Sequence, residues 1–207
     1  MHAHPRPTKI VCIGRNYAAH ARELGNAVPE RPLVFLKPPS ALIGDGDTIL
    51  LPGESQRVEH EAEIGIVIGR TARHVAGAEA EAFIGGYLPL NDVTARDLQK
   101  LDVQFARSKG FDTFCPVGTA VAHADWRELE VIGRVNGAVR QHGRAADMIF
   151  GVPDLIAYVS RIMTLVPGDI IATGTPEGVG PLIDGDLVEI EIPGIGVLRN
   201  PVKAADR

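Results

Sequence analysis

The run Val58-Glu59-His60-Glu61-Ala62-Glu63-Ile64-Gly65-Ile66-Val67-Ile68 decides how this chain is read. It has a strand-like pattern that runs into an apolar stretch from Ile64 to Ile68. Side chains two apart on a strand share a face, so Glu61 and Glu63 send both carboxylates to one side. Apolar residues follow at once, which turns that face toward a covered site. Two like charges ~5–7 Å apart repel each other unless a cation or a proton lies between them. A hard divalent ion suits such oxygens. Asp92, at a strand end after the apolar-aromatic stretch Phe83 to Leu90, offers a third. Spacing taken alone favours a plainer account, in which Glu59, Glu61 and Glu63 form a solvated acidic edge. Spacing also leaves Glu59 open as a ligand.

Outward from this run, glycine and proline fall as punctuation between short apolar runs, with 23 and 15 copies in 207 residues. That texture belongs to a β-rich fold with many turns. Lys9 to Ile13, Leu33 to Leu36, Gly86 to Asn91 and Ile170 to Ala172 read as strands. Asn16 to Leu24 reads as a short helix stopped by Gly25. Ala76 to Phe83 is alanine-rich and predicted helical, and Thr94 is placed as the N-cap of a helical turn through Gln99. Asn136-Gly137 suits a two-residue hairpin between Glu130–Val135 and Ala138–Gln141. Val152 to Leu165 is amphipathic, with Pro153 in its first turn. Leu187 to Ile192 alternates Glu189 and Glu191 outward with Val188, Ile190 and Ile192 inward. The class is α+β, weighted toward β. Residues 1–207 read as one catalytic domain, with residues 1–8 a disordered tail.

Bulk composition excludes several functions. A net charge of −5 and an aromatic content of 5% argue against a nucleic-acid partner, which would need a basic stripe or stacking platforms. No apolar run approaches the ~20 residues that span a bilayer, and the N-terminus lacks a secretory signal, so no membrane partner and a cytoplasmic location are expected. Cys12 and Cys115 lie far apart in sequence and are expected to stay reduced.

Among candidate catalytic groups, His20 and Glu23 are three apart on the short helix and share a face. A carboxylate beside an imidazole orients the ring and raises its basicity, which suits a general base; alone, the pair is more often a surface ion pair. The run Thr173-Gly174-Thr175-Pro176-Glu177-Gly178-Val179-Gly180 follows a strand and can hold a carboxylate through hydroxyl and backbone N–H groups. It is not a phosphate loop. Lys109 taken alone looks like any surface lysine.

Six stretches then carry a resemblance. They are Ile13-Gly14-Arg15-Asn16-Tyr17-Ala18-Ala19-His20, Phe35-Leu36-Lys37-Pro38, His60-Glu61-Ala62-Glu63, Asn91 to Gln99, Met148-Ile149-Phe150 and Thr173 to Gly180. Together, in this order, they resemble the fumarylacetoacetate hydrolase family, and within it the small acylpyruvase-like members. The resemblance covers about Lys9 to Val202. It implies a β-sandwich or β-roll with short flanking helices, assembled as a homodimer. It also implies one Mg²⁺ or Mn²⁺ ion per subunit on Glu61, Glu63 and Asp92, which reverses the reading from spacing. The resemblance further places a water-activating pair on His20 and Glu23, a catalytic positive charge on Lys109, and substrate contacts on Arg15, Arg96, Gln99 and Thr175. The implied reaction is metal-dependent cleavage of a C–C bond in an acylpyruvate, a small 2-oxo acid such as fumarylpyruvate or acetylpyruvate. Alternatives are an oxaloacetate decarboxylase, an isomerase or decarboxylase of ring-cleavage products, or a non-catalytic metal-binding protein. The segment between Gln99 and Lys109 is shorter than the family pattern, at a place that borders the substrate.

Overall fold

The computed structural model describes residues 7–122 and 124–205. Two five-stranded sheets dominate. The first has the order Leu33–Lys37, Ile10–Gly14, Ile170–Ala172, Ala62–Ile68, Ile84–Asn91. Ile10–Gly14 runs parallel to Ile170–Ala172, and the other pairings are antiparallel. Every residue of Ala62–Ile68 is buried, because this strand is covered on both faces; hence its near-continuous apolar run. The second sheet has the order Ala138–Arg144, Glu130–Val135, Leu187–Ile192, Gly196–Ala204, Ile49–Leu51. Its Glu130–Val135 and Leu187–Ile192 strands pack on Ala62–Ile68 and Ile84–Asn91. Val188, Ile190 and Ile192 point into the shared core as their alternation requires. The result is a strand-rich α+β sandwich with short helices at its margins. The longest helix, Val152–Ile162, begins with Pro153 in its first turn and packs on Gly77–Phe83. No helix among the described residues is long and apolar enough to cross a membrane.

Three local expectations need correction. The long strand is broken at Glu61 into Val58–His60 and Ala62–Ile68. At that residue the pairing passes from a small three-stranded sheet, where Glu59 faces Thr94, to the main sheet, where Ala62 faces Asn91. Gly77–Phe83 is a 3₁₀ helix. Only Ala80 of it is buried, so no apolar stripe at helical spacing holds an α-helical turn. Thr94 is not an N-cap. It lies in the short strand Thr94–Ala95, and its hydroxyl donates to the Asp92 carbonyl at 2.8 Å. The helix that follows, Arg96–Leu101, starts from Ala95 without a side-chain cap.

The expected N-terminal tail falls, for residues 1–6, outside the described residues. Thr8 and Lys9 are tied down by Asp169, which the sequence offers only as part of a turn. Its Oδ1 accepts from Thr8 N (2.8 Å), Thr8 Oγ1 (2.7 Å) and Lys9 N (3.1 Å). Its Oδ2 accepts from Lys9 Nζ (2.6 Å) and Val166 N (2.9 Å). Burial opposes ionisation, but these donors outweigh it and hold Asp169 below the usual carboxylate range. Asp169→Ala should therefore lower stability by about 2–3 kcal/mol, read from urea midpoints at neutral pH. A depressed carboxylate contributes fully above its unfolded pKa and loses its contribution as pH falls through its folded one. The gap between wild type and variant should narrow in acid; a gap that widens there would contradict this account.

Candidate metal centre and its pocket

The break at Glu61 builds the site. Glu61 N donates to Asn91 Oδ1 at 3.0 Å, and Asp92 N donates to Glu61 O at 2.9 Å. The pairing of Ala62 with Asn91 thus sets Asp92, just past one strand end, beside Glu61 at the start of the next. One carboxylate oxygen from each of Glu61, Glu63 and Asp92 lies within 4.8 Å of the others. Their exposures are 5%, 2% and 0%. The solvated acidic edge is therefore excluded. Glu59 is also buried but is engaged elsewhere, by Arg57 Nε at 2.5 Å and Arg96 Nε at 2.7 Å.

Three buried cations surround the carboxylates. Lys109, at the end of the short helix Ala106–Lys109, donates to Glu61 Oε2 (2.8 Å) and Asp92 Oδ2 (2.7 Å). Its ammonium lies 5.1 Å from the centre of the Phe35 ring. Arg96 bridges Glu59 and Glu61 and donates to Gln99 Oε1 at 2.5 Å. Lys37, fully buried, donates to Asp92 Oδ1 (2.6 Å) and Val93 O (3.0 Å). Sequence reasoning assigned Lys37 no role; the available signal was a lysine at the end of an apolar strand.

These partners split the two glutamates. Burial alone would raise both. At Glu61, Lys109 and Arg96 overcome it and hold the carboxyl well below its ordinary range. At Glu63, burial and the charges of Asp92 and Glu61 push it well above. Among the described residues, Glu63 accepts one hydrogen bond, from Gly174 N at 2.8 Å. Four buried carboxylates, Glu59, Glu61, Glu63 and Asp92, thus face three buried bases, Lys37, Arg96 and Lys109. Arg57 also pairs with Glu59 from the surface, so Glu63 is the one carboxylate of the four that no base among the described residues contacts. A divalent ion among the three hard oxygen donors of Glu61, Glu63 and Asp92 would supply that missing partner, so the residues fit a metal ion.

The remaining sequence-singled residues arrive on three loops. Asn16 is fully buried and knots them: its Nδ2 donates to Phe150 O (3.1 Å) and Thr173 O (2.8 Å), and its Oδ1 accepts from Phe150 N (2.9 Å). Gly174, at φ +97°, passes so close that a Cβ would sit 2.7 Å from Asn16 Cβ, so only glycine serves there. The helix Ala18–Glu23 carries His20 inward, with Nδ1 3.2 Å from Glu23 Oε2. Glu23 is exposed and accepts from Gly178 N at 3.0 Å, which ties helix to loop. Arg15, His20, Glu61, Glu63, Asp92, Arg96, Gln99, Lys109 and Thr175 all line one pocket of ≈ 440 Å³, counted to its open mouth. Glu23 alone of the singled-out set stands behind this lining. Leu24, Leu33, Phe35 and Phe105 add an apolar wall, which sequence reasoning missed because those residues look like ordinary core. Cys12 and Cys115 are free and buried; burial pushes the Cys115 thiol up to about 12.

This arrangement matches known proteins along its whole length. The fumarylacetoacetate (FAA) hydrolase C-terminal domain family matches residues 9–203, and the chain belongs to that family. It is 53% identical to an uncharacterized protein of Pyrococcus abyssi, over 97% of this chain and 92% of that one. It is 47% identical to a mitochondrial oxaloacetate tautomerase of Arabidopsis thaliana, over 95% of this chain and 91% of that one. The crystal structure of a 5-carboxymethyl-2-hydroxymuconate delta-isomerase from Mycobacterium smegmatis superposes with a TM-score of 0.92 at 48% identity, over 98% of this chain and 81% of the other. The family's members are isomerases, hydrolases and tautomerases, so the fold and site are those of an enzyme family.

Metal binding has a thermal signature. Mn²⁺ at ~100 times its Kd should raise the unfolding free energy by about 2.7 kcal/mol, visible as a higher Tm. Glu63→Gln removes the one carboxyl of the cluster that no base contacts. Its metal-free Tm should equal or exceed that of the wild type, while the Mn²⁺-dependent rise is largely lost. A Glu63→Gln protein that is stabilised by Mn²⁺ as strongly as wild type would exclude this site.

Proposed function

We propose that the protein catalyses proton transfer at C3 of a small 2-oxo dicarboxylic acid, interconverting keto and enol forms of oxaloacetate or a close analogue. The observation that carries this reading is the enclosure, in one small pocket, of an oriented imidazole, a hard-oxygen metal centre and buried cations. The Arabidopsis relative, named an oxaloacetate tautomerase, supports it. Glu61, Glu63 and Asp92 would hold a divalent ion, Mg²⁺ or Mn²⁺ by donor chemistry. When bound, that ion supplies Lewis-acid stabilisation of negative charge on the 2-oxo oxygen. Lys109 and Arg96 add fixed positive potential that favours a carboxylate and a developing oxyanion. Arg15 and Gln99 would hold the acid's polar ends, with Thr175 beside them in the lining. Glu23, as acceptor at His20 Nδ1, favours the tautomer with its proton on Nδ1 and leaves the Nε2 lone pair as base. That base takes the C3 proton as the C3–H electron pair moves into the C2–C3 bond. The C2–O π pair moves onto the 2-oxygen, which takes a proton from solvent or back from the His20 imidazolium to complete the enol, and the same groups run the reverse step.

A second reading is hydrolysis of acylpyruvates such as fumarylpyruvate or acetylpyruvate. The favouring observation is the anchoring of the His20–Glu23 pair by Gly178, since an ordered base can equally deprotonate water. Water would add to C4, the C3–C4 bond would break, and protonation at C3 would release pyruvate and the acid. A homodimer remains part of the proposal. The edge strand Leu33–Lys37, with Leu33 and Leu36 exposed, is uncovered by any described strand and supports it. Light scattering at micromolar concentration should give twice the chain mass, and a monomer mass would remove this element.

The deciding assay gives purified protein Mg²⁺ or Mn²⁺ and follows loss of enol-oxaloacetate absorbance beside pyruvate release from acetylpyruvate and fumarylpyruvate. Tautomerisation should dominate. His20→Ala should cut it by roughly 10²–10⁴-fold with metal affinity nearly unchanged, whereas Glu61→Ala should abolish it through loss of the ion. Robust tautomerisation by His20→Ala would remove His20 as the base. Pyruvate release faster than tautomerisation would establish the second reading instead.

A further inference from the structure

Gln141 lies on the edge strand Ala138–Arg144, whose other residues are exposed except Gly143. It is itself only 1% exposed. Its side chain leaves its own sheet and reaches the other one. Gly133 makes room: a Cβ there would lie 3.0 Å from Ala62 Cβ and 3.4 Å from Gln141 Oε1. The amide then makes four contacts. Its Oε1 accepts from Ala62 N (2.9 Å) and meets His60 Nδ1 (2.9 Å). Its Nε2 donates to Thr175 Oγ1 (2.7 Å) and Pro176 O (2.8 Å).

The orientation of this amide is not ambiguous. Ala62 N–H can only donate and Pro176 C=O can only accept, so oxygen and nitrogen cannot be exchanged. Two consequences follow. His60 must donate from Nδ1, in keeping with an imidazole that burial drives toward its neutral form. Thr175 Oγ1, which accepts from Gln141, gives its own proton to Ala62 O at 2.9 Å. One side chain therefore clamps Thr175 and Pro176 to Ala62, the residue between Glu61 and Glu63. The same loop is pressed on the Gln141 strand by Gly178, where a Cβ would meet Arg140 O at 2.0 Å.

We infer that Gln141 is a positioning residue: it holds the Thr175–Pro176 segment of the pocket wall at a set place relative to the three carboxylates. This rests on the reading of the pocket as a 2-oxo-acid site. Gln141 touches neither the pocket space nor the carboxylates, so it acts through Thr175. The strand bearing Glu63 is held by its own neighbours on both sides, so losing the clamp displaces the acid-binding loop more than the metal ligands.

The test measures two affinities calorimetrically: Mn²⁺ alone, then oxalate, a chelating 2-oxo-acid mimic, to the Mn²⁺-loaded protein. Gln141→Leu should weaken oxalate roughly 10-fold or more, the usual effect of losing hydrogen bonds to a polar group. Mn²⁺ affinity should stay within about 3-fold, since no proposed ligand changes. Oxalate affinity within about twofold of wild type would overturn the proposal, and so would equal losses of both affinities, which mark general disorder. Gln141→Glu decides the matter if the leucine variant fails to fold. Its carboxylate keeps the acceptor side but cannot donate to Thr175 or Pro176. Its oxalate affinity should fall roughly 10-fold or more while Mn²⁺ affinity stays within about 3-fold, and oxalate binding within about twofold of wild type would overturn the proposal. Wild type that binds Mn²⁺ but not oxalate would sink the pocket reading itself, and this proposal with it.

Discussion

The constraint on which this structure rests is the burial of four carboxylates at one end of the Ala62–Ile68 and Ile84–Asn91 strand pair. Desolvating even one charge costs several kcal/mol unless partners are close and well aligned. Three buried bases, Lys37, Arg96 and Lys109, meet that demand from three different segments, and each comes to within about hydrogen-bond distance of a carboxylate. The cluster therefore dictates more than local chemistry. It requires the Leu33–Lys37 strand, the Arg96–Leu101 helix and the Ala106–Lys109 turn to converge on the end of one strand pair. What stays uncompensated is Glu63. Its position is over-determined by a fully buried strand, so relief comes from a proton or a bound cation rather than from movement of the backbone.

The second organising element is a set of loop contacts that no single segment contains. Asn16 holds the Phe150 and Thr173 segments, Glu23 holds Gly178, and Gln141 holds Thr175 and Pro176. Each uses a short polar side chain to satisfy backbone groups that a loop would otherwise leave bare. The glycines at 174 and 178 permit these approaches, since any side chain there would strike Asn16 or the Arg140 carbonyl. This explains why stretches far apart in sequence are read together as one pattern: they are the two halves of the same hydrogen bonds.

Much of the fold was legible because burial leaves periodic marks. The Leu187–Ile192 alternation and the amphipathic stripe read from Val152 to Leu165 are consequences of one covered face; the strand appears as read, and the helix appears but ends at Ile162. Where tertiary pairing overrides local preference, the marks mislead. Thr94 has the chemistry of a cap, yet strand pairing with Glu59 and the Asp92 carbonyl claim it. The Ala76–Phe83 composition favours an α-helix, but composition does not reveal that a single alanine would be buried. At the site, Glu61 and Glu63 show in the spacing, whereas the choice between a solvated edge and a buried centre does not. That choice depends on Lys37, Arg96 and Lys109, which are unremarkable bases until the fold buries them. The apolar wall of Leu24, Leu33, Phe35 and Phe105 is illegible for the same reason, since pocket lining and core use the same residues.

On the proposed reading, tautomerisation and hydrolysis share every charged group of the pocket and differ in whether a water reaches the carbon beyond C3. Electrostatics cannot discriminate between them, because both develop negative charge at the 2-oxo oxygen. Discrimination must come from space and dryness. The pocket is small, and its apolar wall is formed by side chains from the Ala18–Glu23 helix end, the Leu33–Lys37 strand and the Phe105 turn. These residues offer no hydrogen bond to a water, and His20 is the group proposed to activate one. When the imidazole is engaged with the C3 proton it cannot also deprotonate a water. A compact dicarboxylic acid that brings C3 to His20 is therefore directed toward proton transfer, whereas a longer acyl group that displaces C3 and leaves room at the imidazole is directed toward cleavage. Substrate length relative to the wall of Leu24, Leu33, Phe35 and Phe105 becomes the variable through which one constellation of charges serves either reaction.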